Sequence, residues 1–340
     1  MIRVGLIGYG LAGASFHAPL IGAVPGLRLT SIATSRGAAV ARDWPEATVV
    51  ADAAMLLSDP AIDLVVIATP DSSHALLAQA ALTAGKHVVI DKPFVTDPAD
   101  GAALIALAEA RGRMLSVFHN RRWDADFLTV RDVLADDRLG DIALAELRWD
   151  RFRPAIKPGW RETEGAGLLN DLGPHLLDQA LQLFGRPDAV AADLATQRAA
   201  ATTEDYFEIT LSYGERRVIV SAATLLAQPR ARFALHGTGG SFVKYGIDPQ
   251  EAVLRGGYPP TTPGFGEDAP EAFGTLTDTA GTALRIVSAR GDWRRYYSGV
   301  VAAIAEGAPP PVPARDALAV MELIAVARRS ADERRRRPQP

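Results

Sequence analysis

The sequence predicts an α/β protein with two parts: an N-terminal doubly wound domain, and an α+β C-terminal domain with a mostly antiparallel sheet. Short apolar runs alternate with helical patterns in the first part of the chain, which is the order that builds a parallel sheet. The pattern changes at a polar, basic stretch, His119 to Trp123. Beyond it, segments of period-two alternation are typical of half-buried strands. We therefore expect one domain over residues 1–120 and a second over residues 121–340.

Six apolar runs in the first part have the length of strands. They lie at residues 2–7, 29–33, 48–50, 63–68, 88–90 and 114–118. Runs this apolar are expected where a strand is buried on both faces. Helical patterns fall between them, and Asp97 is placed to cap the helix after the fifth run. One doubly wound domain accounts for all of these elements.

The second part combines predicted strands with helices. The strands are predicted at residues 143–149, 207–213, 217–223, 231–235 and 241–243, and the helices at about 124–136, 174–184, 293–306 and 314–330. Pro174 is expected in the first turn of its helix, where a missing N–H costs nothing. Residues 256–274 are rich in Gly and Pro and are predicted to be loop.

A glycine-rich loop follows the first predicted strand and precedes a helical pattern. Its residues are Gly8-Tyr9-Gly10-Leu11-Ala12-Gly13. In such a GxGxxG loop the first glycine allows a tight turn, the second lets a pyrophosphate approach the backbone, and the third lets the helix pack on the strand. The helix N-terminus then offers N–H groups to the phosphates. The loop predicts a dinucleotide site on a Rossmann domain.

The second predicted strand ends in Thr34-Ser35-Arg36. An Asp or Glu near this point usually holds the free ribose 2′-hydroxyl of NAD. Two hydroxyls and a guanidinium suit a 2′-phosphate instead. The stretch favours NADP over NAD, the alternative being a surface arginine that opens the next helix.

The fifth predicted strand ends in Asp91-Lys92-Pro93. Ligands collect beyond the carboxyl ends of parallel strands, so Lys92 is a candidate for chemistry. The alternative is a lysine that closes a strand with its ammonium group in water.

Asp171 and His175 form the second candidate site. They are four residues apart, so in a helix they project to the same side. A His beside a carboxylate is a plausible proton-transfer pair, because imidazole titrates near neutral pH. The alternative is a capping Asp and a buried, hydrogen-bonded His. We interpret His17 and His87 as structural.

Composition excludes several other classes. The net charge of −4 gives no basic footprint for nucleic acid, and the absence of cysteine excludes disulfides and thiolate metal sites. No metal site is expected, because no HxH or HExxH spacing occurs. With neither a signal peptide nor a membrane-spanning apolar run in view, we expect a cytoplasmic protein.

Together these motifs resemble the Gfo/Idh/MocA family of NAD(P)-dependent oxidoreductases. The resemblance rests on the glycine-rich loop, Thr69-Pro70 with His74, Ala84 to Val88, Asp91-Lys92-Pro93 and Asp171 to His175. Two further stretches, Phe118 to Asp124 and Asp150 to Pro154, are similar to the branch related to NADP-linked scyllo-inositol dehydrogenases.

The resemblance implies hydride transfer between NADP(H) and a polyol or sugar, with an inositol-like substrate favoured. Lys92 would hydrogen-bond the substrate oxygen, His175 would move the hydroxyl proton, and Asp171 would orient the substrate. The implied cofactor contacts also include Thr69, Pro70, His74, Asp91, Lys92, Asn120, Trp160 and Arg161. Asp91 departs from the family, which more often has Glu before Lys-Pro. Relatives are commonly dimers or tetramers, so a homodimer or homotetramer is expected.

Two rival functions stay open. One is a regulator that binds the cofactor without turning it over. The other is an NAD-dependent glycosidase that oxidises its sugar transiently and releases product without net change in nicotinamide.

Overall fold

A computed structural model describes residues 1–156 and 167–335 of the chain. Two compact units are present. The first comprises residues 1–123, 249–266 and 292–321, and the second comprises residues 124–248, 267–291 and 322–340. Segments far along the chain therefore complete the first unit. The predicted cofactor residues Trp160 and Arg161 lie outside the described residues.

The strands follow the predicted order along the chain. They are β1 (Ile2–Ile7), β2 (Leu27–Ala33), β3 (Thr48–Val50), β4 (Leu64–Ile67), β5 (His87–Ile90), β6 (Leu115–Val117), β7 (Ile142–Asp150), β8 (Ala189–Ala195), β9 (Tyr206–Tyr213), β10 (Arg216–Ala223), β11 (Phe233–Gly237), β12 (Gly240–Lys244), β13 (Gly274–Asp278) and β14 (Ala283–Ile286).

The helices lie between and after these strands. They are α1 (Ala18–Ala23), α2 (Gly37–Asp43), α3 (Ala53–Ser58), α4 (His74–Thr83), α5 (Pro98–Ala110), α6 (Ala125–Ala135), α7 (Gly167–Phe184), α8 (Gln250–Arg255), α9 (Arg294–Ala305) and α10 (Ala314–Arg335). A π-helical turn, Gly13–His17, leads directly into α1. As predicted, the Asp97 carboxylate caps α5 by accepting from the backbone N–H of Ala99.

The first unit contains a six-stranded sheet in the order β3-β2-β1-β4-β5-β6. All five neighbouring pairs are parallel. The four residues of β4 are all buried, which explains the continuous apolar runs in the sequence. The strand order reverses between β1 and β4, and the crevice beyond the carboxyl ends at such a point is where ligands bind. The predicted doubly wound domain is confirmed.

Helix α9 contributes to the core of the first unit. Its Tyr296 and Tyr297 are fully buried and stack edge to face, with ring centroids 5.3 Å apart. Both rings also contact Phe118, which follows β6. Side chains this large each contribute roughly 1.5–3 kcal/mol when fully buried. A late helix therefore helps to hold the carboxyl end of β6.

The second unit contains an eight-stranded sheet in the order β14-β13-β12-β11-β7-β10-β9-β8. Strands β7 and β10 are parallel, and all other neighbours are antiparallel. Helix α7 lies against β7, β9 and β10. The predicted mostly antiparallel sheet of an α+β domain is confirmed.

The prediction for Pro174 was wrong. The proline lies inside α7, not in its first turn. An interior proline removes one backbone hydrogen bond and costs roughly 3 kcal/mol. The helix continues through it because the leucines on both sides are buried. They are Leu168, Leu169, Leu172, Leu176 and Leu177.

Four short elements were missed: α8, β8, β13 and β14. Strand β8 has four alanines in seven residues, and alanine is depleted in strands, so its sequence carries no strand signal. The loop predicted for residues 256–274 holds a 3₁₀ turn at Pro270–Ala272, and β13 begins at Gly274. The missed strands form because neighbouring strands supply backbone partners.

We expect Lys244→Met to destabilise the second unit. The Lys244 ammonium is buried and donates to Asp268 Oδ2 (2.5 Å), Ala272 O (2.6 Å) and Ser288 Oγ (3.1 Å). Removing it leaves a buried carboxylate without its counter-charge, at a cost of about 3–5 kcal/mol in the free energy of unfolding. Denaturant unfolding measures this loss. The double variant Lys244→Met/Asp268→Leu should recover part of it, and a double variant less stable than the single one would contradict the explanation.

Candidate active site

The glycine-rich loop has the geometry of a phosphate cradle. Gly8 has φ +98°, and a Cβ there would lie 2.5 Å from the carbonyl oxygen of Ala68. A Cβ on Gly13 would lie 2.1 Å from the carbonyl oxygen of Gly8, so the helix and strand meet at a contact that only glycine permits. A Cβ on Gly10 would meet nothing within 4 Å. The open space over Gly10 fits a dinucleotide pyrophosphate.

The other residues of the loop differ in exposure. Tyr9 is buried, and its hydroxyl donates to Asp43 Oδ2 at 2.9 Å. Burial, followed by this hydrogen bond, raises the pKa of Tyr9 to about 12. Leu11 is exposed and Ala12 is half-buried. Because the Tyr9 hydroxyl is hydrogen-bonded to Asp43 at the end of α2, the backbone of Tyr9 is the part available to a dinucleotide.

The end of β2 presents a cationic, acid-free edge. Thr34 Oγ1 accepts a hydrogen bond from the backbone N–H of Arg36 at 3.1 Å. Ser35 and Arg36 are exposed, and the Arg36 side chain makes no hydrogen bond or ion pair with any described residue. Its guanidinium is therefore available to a phosphate, as expected for an NADP site.

His74 joins the loops that follow β4 and β5. Its buried ring lies with Nδ1 2.8 Å from the carbonyl oxygen of Pro93 and Nε2 3.0 Å from that of Thr69. Carbonyl oxygens only accept, so a ring nitrogen that bonds either of them does so through its N–H. Thr69 Oγ1 also pairs with Ser73 Oγ at 2.7 Å, and Pro70 is exposed. His74 thus uses both nitrogens on the protein and positions the two loops.

Asp91 and Lys92 lie at the carboxyl end of β5, and both are half-buried. Asp91 Oδ1 accepts from the backbone N–H of Lys92 at 2.9 Å and lies 3.6 Å from His17 Nε2. Burial by itself raises the pKa of Asp91, but the interactions with His17, Lys92 and His74 together lower it below its ordinary value. Asp91 is therefore an ionised carboxylate beside the Lys92 ammonium group.

The end of β6 supplies the last predicted cofactor residue of the first unit. Asn120 is buried in a 3₁₀ turn, Asn120–Trp123. The structure thus gathers the residues predicted from the first unit at the carboxyl edge of one sheet, after β1, β2, β4, β5 and β6.

Asp171 and His175 share one face of α7 in the second unit, as their spacing predicts. The Asp171 carboxylate lies 3.4 Å from Arg151 Nη1. The His175 ring is buried and lies 6.0 Å from the Trp149 ring, centroid to centroid. The Arg151 guanidinium lies 5.6 Å from the centroid of the same Trp149 ring. The pair is in the middle of the helix, not at its start, because α7 begins at Gly167.

Sequence reasoning missed Trp149 and left Arg151 out of the site. The two are i and i+2 at the end of β7, so strand periodicity places them on one side. Their contacts with His175 and Asp171 depend on how α7 packs on the sheet, which no local pattern reports. His17 was interpreted as structural, and the structure places it next to Asp91.

Two further observations concern metal-binding proteins and membrane proteins. In the residues that the structure describes, no group of three His, Cys, Asp or Glu side chains could hold a metal ion. No helix among those residues is long and apolar enough to cross a membrane.

Comparison with known proteins identifies the family. Residues 2–119 match the NAD-binding Rossmann-fold model of the GFO_IDH_MocA oxidoreductase family, and residues 131–338 match its C-terminal alpha/beta domain. The chain belongs to this family, as its motifs indicate.

Several relatives are similar over nearly the whole chain. YdgJ of Escherichia coli K12, an uncharacterized oxidoreductase, is 47% identical over 98% of this chain and 97% of its own length. IolW of Bacillus subtilis, a scyllo-inositol 2-dehydrogenase (NADP(+)), is 41% identical over 98% of this chain and 95% of its own length. The solved structure of yvaA from Bacillus subtilis superposes with a TM-score of 0.95 at 41% identity, covering 98% and 97% of the two chains. The protein is an oxidoreductase with inositol dehydrogenase homologues.

Gly10→Ala and Gly13→Ala should separate nucleotide binding from stability. The methyl group added at position 10 meets no protein atom but occupies the open space over the loop, so we expect binding of NADPH to weaken by at least about tenfold with the unfolding midpoint unchanged. The methyl group added at position 13 meets the carbonyl of Gly8 and should lower the midpoint. Fluorescence titration and thermal unfolding measure the two effects. Unchanged NADPH affinity in Gly10→Ala would contradict the assignment of the cradle.

Proposed function

We propose that the protein transfers a hydride between NADP(H) and the CH–OH or C=O group of a polyol or sugar, with an inositol-like substrate favoured. The observation that carries this proposal is the 41% identity to IolW over nearly both full lengths. A more distant relative, at 35% identity over 148 residues, is also an inositol dehydrogenase.

The choice of NADP rests on the edge of β2. Arg36 and Ser35 are exposed there, and no Asp or Glu stands among residues 34–36 to favour a free 2′-hydroxyl. A guanidinium binds phosphate oxygens through charge-assisted hydrogen bonds. The relative IolW is named a dehydrogenase that uses NADP(+), which agrees with this choice.

Lys92, Asp171 and His175 are the proposed catalytic residues. The bound nicotinamide supplies the hydride chemistry. Lys92 donates a hydrogen bond to the reacting oxygen and stabilises the negative charge that develops on it. His175 removes the hydroxyl proton in oxidation and returns it in reduction. Asp171, held by Arg151, orients the substrate and favours the protonated form of His175.

The proposal extends to assembly and location. We propose a cytoplasmic homodimer or homotetramer, as the resemblance to the family implies. Light scattering of the purified protein measures the assembly, and a monomer at micromolar concentration would contradict it.

Lys92→Met should remove turnover and keep cofactor binding. The thioether matches the length of the lysine stem but cannot donate to the developing oxyanion, so we expect kcat to fall at least about a hundredfold. Steady-state absorbance measures kcat, and fluorescence titration with NADPH is the control on the same variant. Near-normal turnover by Lys92→Met would overturn this assignment.

The substrate class is tested by a panel of polyols, aldoses and keto-sugars offered with NADP(H) and NAD(H). Turnover of a cyclic polyol with NADP supports the proposal. If no compound of the panel is turned over while NADPH still binds, a non-catalytic regulator would be favoured. Release of a sugar product without net change in nicotinamide would favour the transient-oxidation glycosidase.

Arg36→Ala should weaken binding of NADPH and leave binding of NADH nearly unchanged. One charge-assisted contact to the 2′-phosphate is lost, which corresponds to about tenfold in the dissociation constant. The matched control is Arg42→Ala, because Arg42 lies in the helix that follows and pairs with Asp43 at 2.7 Å. Equal effects of the two variants on NADPH affinity would argue against a phosphate contact at Arg36.

A further inference from the structure

His17 lies between a buried tyrosine and the carboxylate at the end of β5. The residue is fully buried in the π-helical turn that follows the glycine-rich loop. Its Nδ1 is 2.7 Å from the Tyr297 hydroxyl, and its Nε2 is 3.6 Å from Asp91 Oδ1. The Phe118 ring packs on the imidazole, with centroids 4.4 Å apart. π-Helical turns are rare and often lie at functional sites.

These contacts decide which nitrogen of His17 carries a proton. A neutral ring protonated only on Nδ1 would turn the lone pair of Nε2 toward the Asp91 carboxylate, which is repulsive. An N–H on Nε2 instead points at an acceptor. Burial raises the pKa of Tyr297 well above its ordinary value, so its hydroxyl keeps its proton and can donate to a bare Nδ1. In this tautomer the Tyr297 O–H donates to Nδ1, and the Nε2–H points at Asp91 Oδ1 across 3.6 Å, an electrostatic contact that is longer than a hydrogen bond.

The same contacts divide the two oxygens of Asp91. Oδ1 faces His17 and accepts from the backbone N–H of Lys92. Oδ2 has no hydrogen-bond partner among the described residues, and the side chain is 13% exposed. Aspartate is a methylene shorter than the glutamate more common here in the family. At this length one oxygen is used by the protein, and the other is left for a ligand.

We propose that His17 and Tyr297 are positioning residues that hold Asp91 Oδ1. They thereby fix the end of β5, which carries Lys92, and they leave Asp91 Oδ2 to a hydroxyl of the bound nucleotide. The proposal deepens the proposed function and rests on it for the identity of the ligand. The chain of contacts from Tyr297 through His17 to Asp91 concerns only residues of the first unit.

The arrangement makes nucleotide binding depend on pH through Asp91. Four titratable side chains besides His17 lie around the carboxylate: Lys92, His74, Tyr296 and Tyr297. Burial opposes ionisation, and His17 is the first contributor that favours it. Removing His17 should therefore raise the pKa of Asp91, so that the carboxylate is protonated, and binding lost, at a higher pH than in the wild type.

The first experiment compares His17→Phe with His17→Gln. Phenylalanine fills the apolar site without a donor, whereas the glutamine amide keeps an N–H near the position of Nε2. We expect His17→Phe to weaken NADPH binding about tenfold at neutral pH, because the buried Asp91 carboxylate loses the neighbouring donor that favours its ionised form. The acid limb of NADPH affinity should move to higher pH, because the pKa of Asp91 is no longer lowered by His17. His17→Gln should recover most of both effects.

The second experiment uses two adjacent tyrosines as a matched pair. Tyr296 and Tyr297 are equally buried, but the Tyr296 hydroxyl lies 2.9 Å from Ser116 Oγ and does not bond His17. Nitrogen-15 NMR of the imidazole needs no nucleotide. We expect the Nε2–H tautomer in the wild type and in Tyr296→Phe, and a shifted tautomer balance or ring signal in Tyr297→Phe.

The outcomes separate this inference from the proposed function. A wild-type Nδ1–H tautomer, or identical imidazole spectra in both tyrosine variants, would overturn this chain of contacts whether or not any nucleotide binds. Folded His17→Phe with wild-type NADPH affinity at every pH would overturn the positioning role. If the NMR result holds while no substrate is turned over, the proposed reaction fails and the chain of contacts stands.

Discussion

The Asp91 carboxylate is the charge around which the carboxyl edge of the first sheet is arranged. Its burial alone would favour the neutral acid, yet its pKa is lowered because His17, Lys92 and His74 all lie close enough to favour the anion. A buried charge is tolerated only where it is paired and hydrogen-bonded. The strand end can therefore carry an acid and a lysine side by side, with the lysine favouring the ionised form of Asp91.

Two histidines fix this edge in different ways. His74 uses both ring nitrogens on carbonyl oxygens of the loops after β4 and β5, so it sets the distance between backbones. His17 instead contacts a side chain, the carboxylate of Asp91. The second unit has a comparable support, in which Trp149 lies against both His175 and Arg151 while Arg151 holds Asp171. In both units the proposed reacting groups lie beside a ring that the sequence did not assign to the site, His17 in the first unit and Trp149 in the second.

Local patterns in the sequence predicted most of the fold. The six strands of the first sheet were predicted because residues buried on both faces must be apolar, and the strand–glycine loop–helix order predicted a nucleotide cradle that the positions of Gly8, Gly10 and Gly13 fit. The patterns failed where packing overrides propensity. The leucines of α7 carry the helix through Pro174, and β8 becomes a strand because β9 pairs with it along seven residues.

By itself, the sequence determined the fold class, the family and the candidate residues Lys92, Asp171 and His175, because these depend on periodicity and on motifs of a few consecutive residues. Only the tertiary structure decided which partners those residues have. His17 and Tyr297 are 280 residues apart in the chain, and no local pattern reports a hydrogen bond across that separation. Such a contact exists because α9 packs its tyrosines into the core of the first unit, where a buried hydroxyl must find an acceptor.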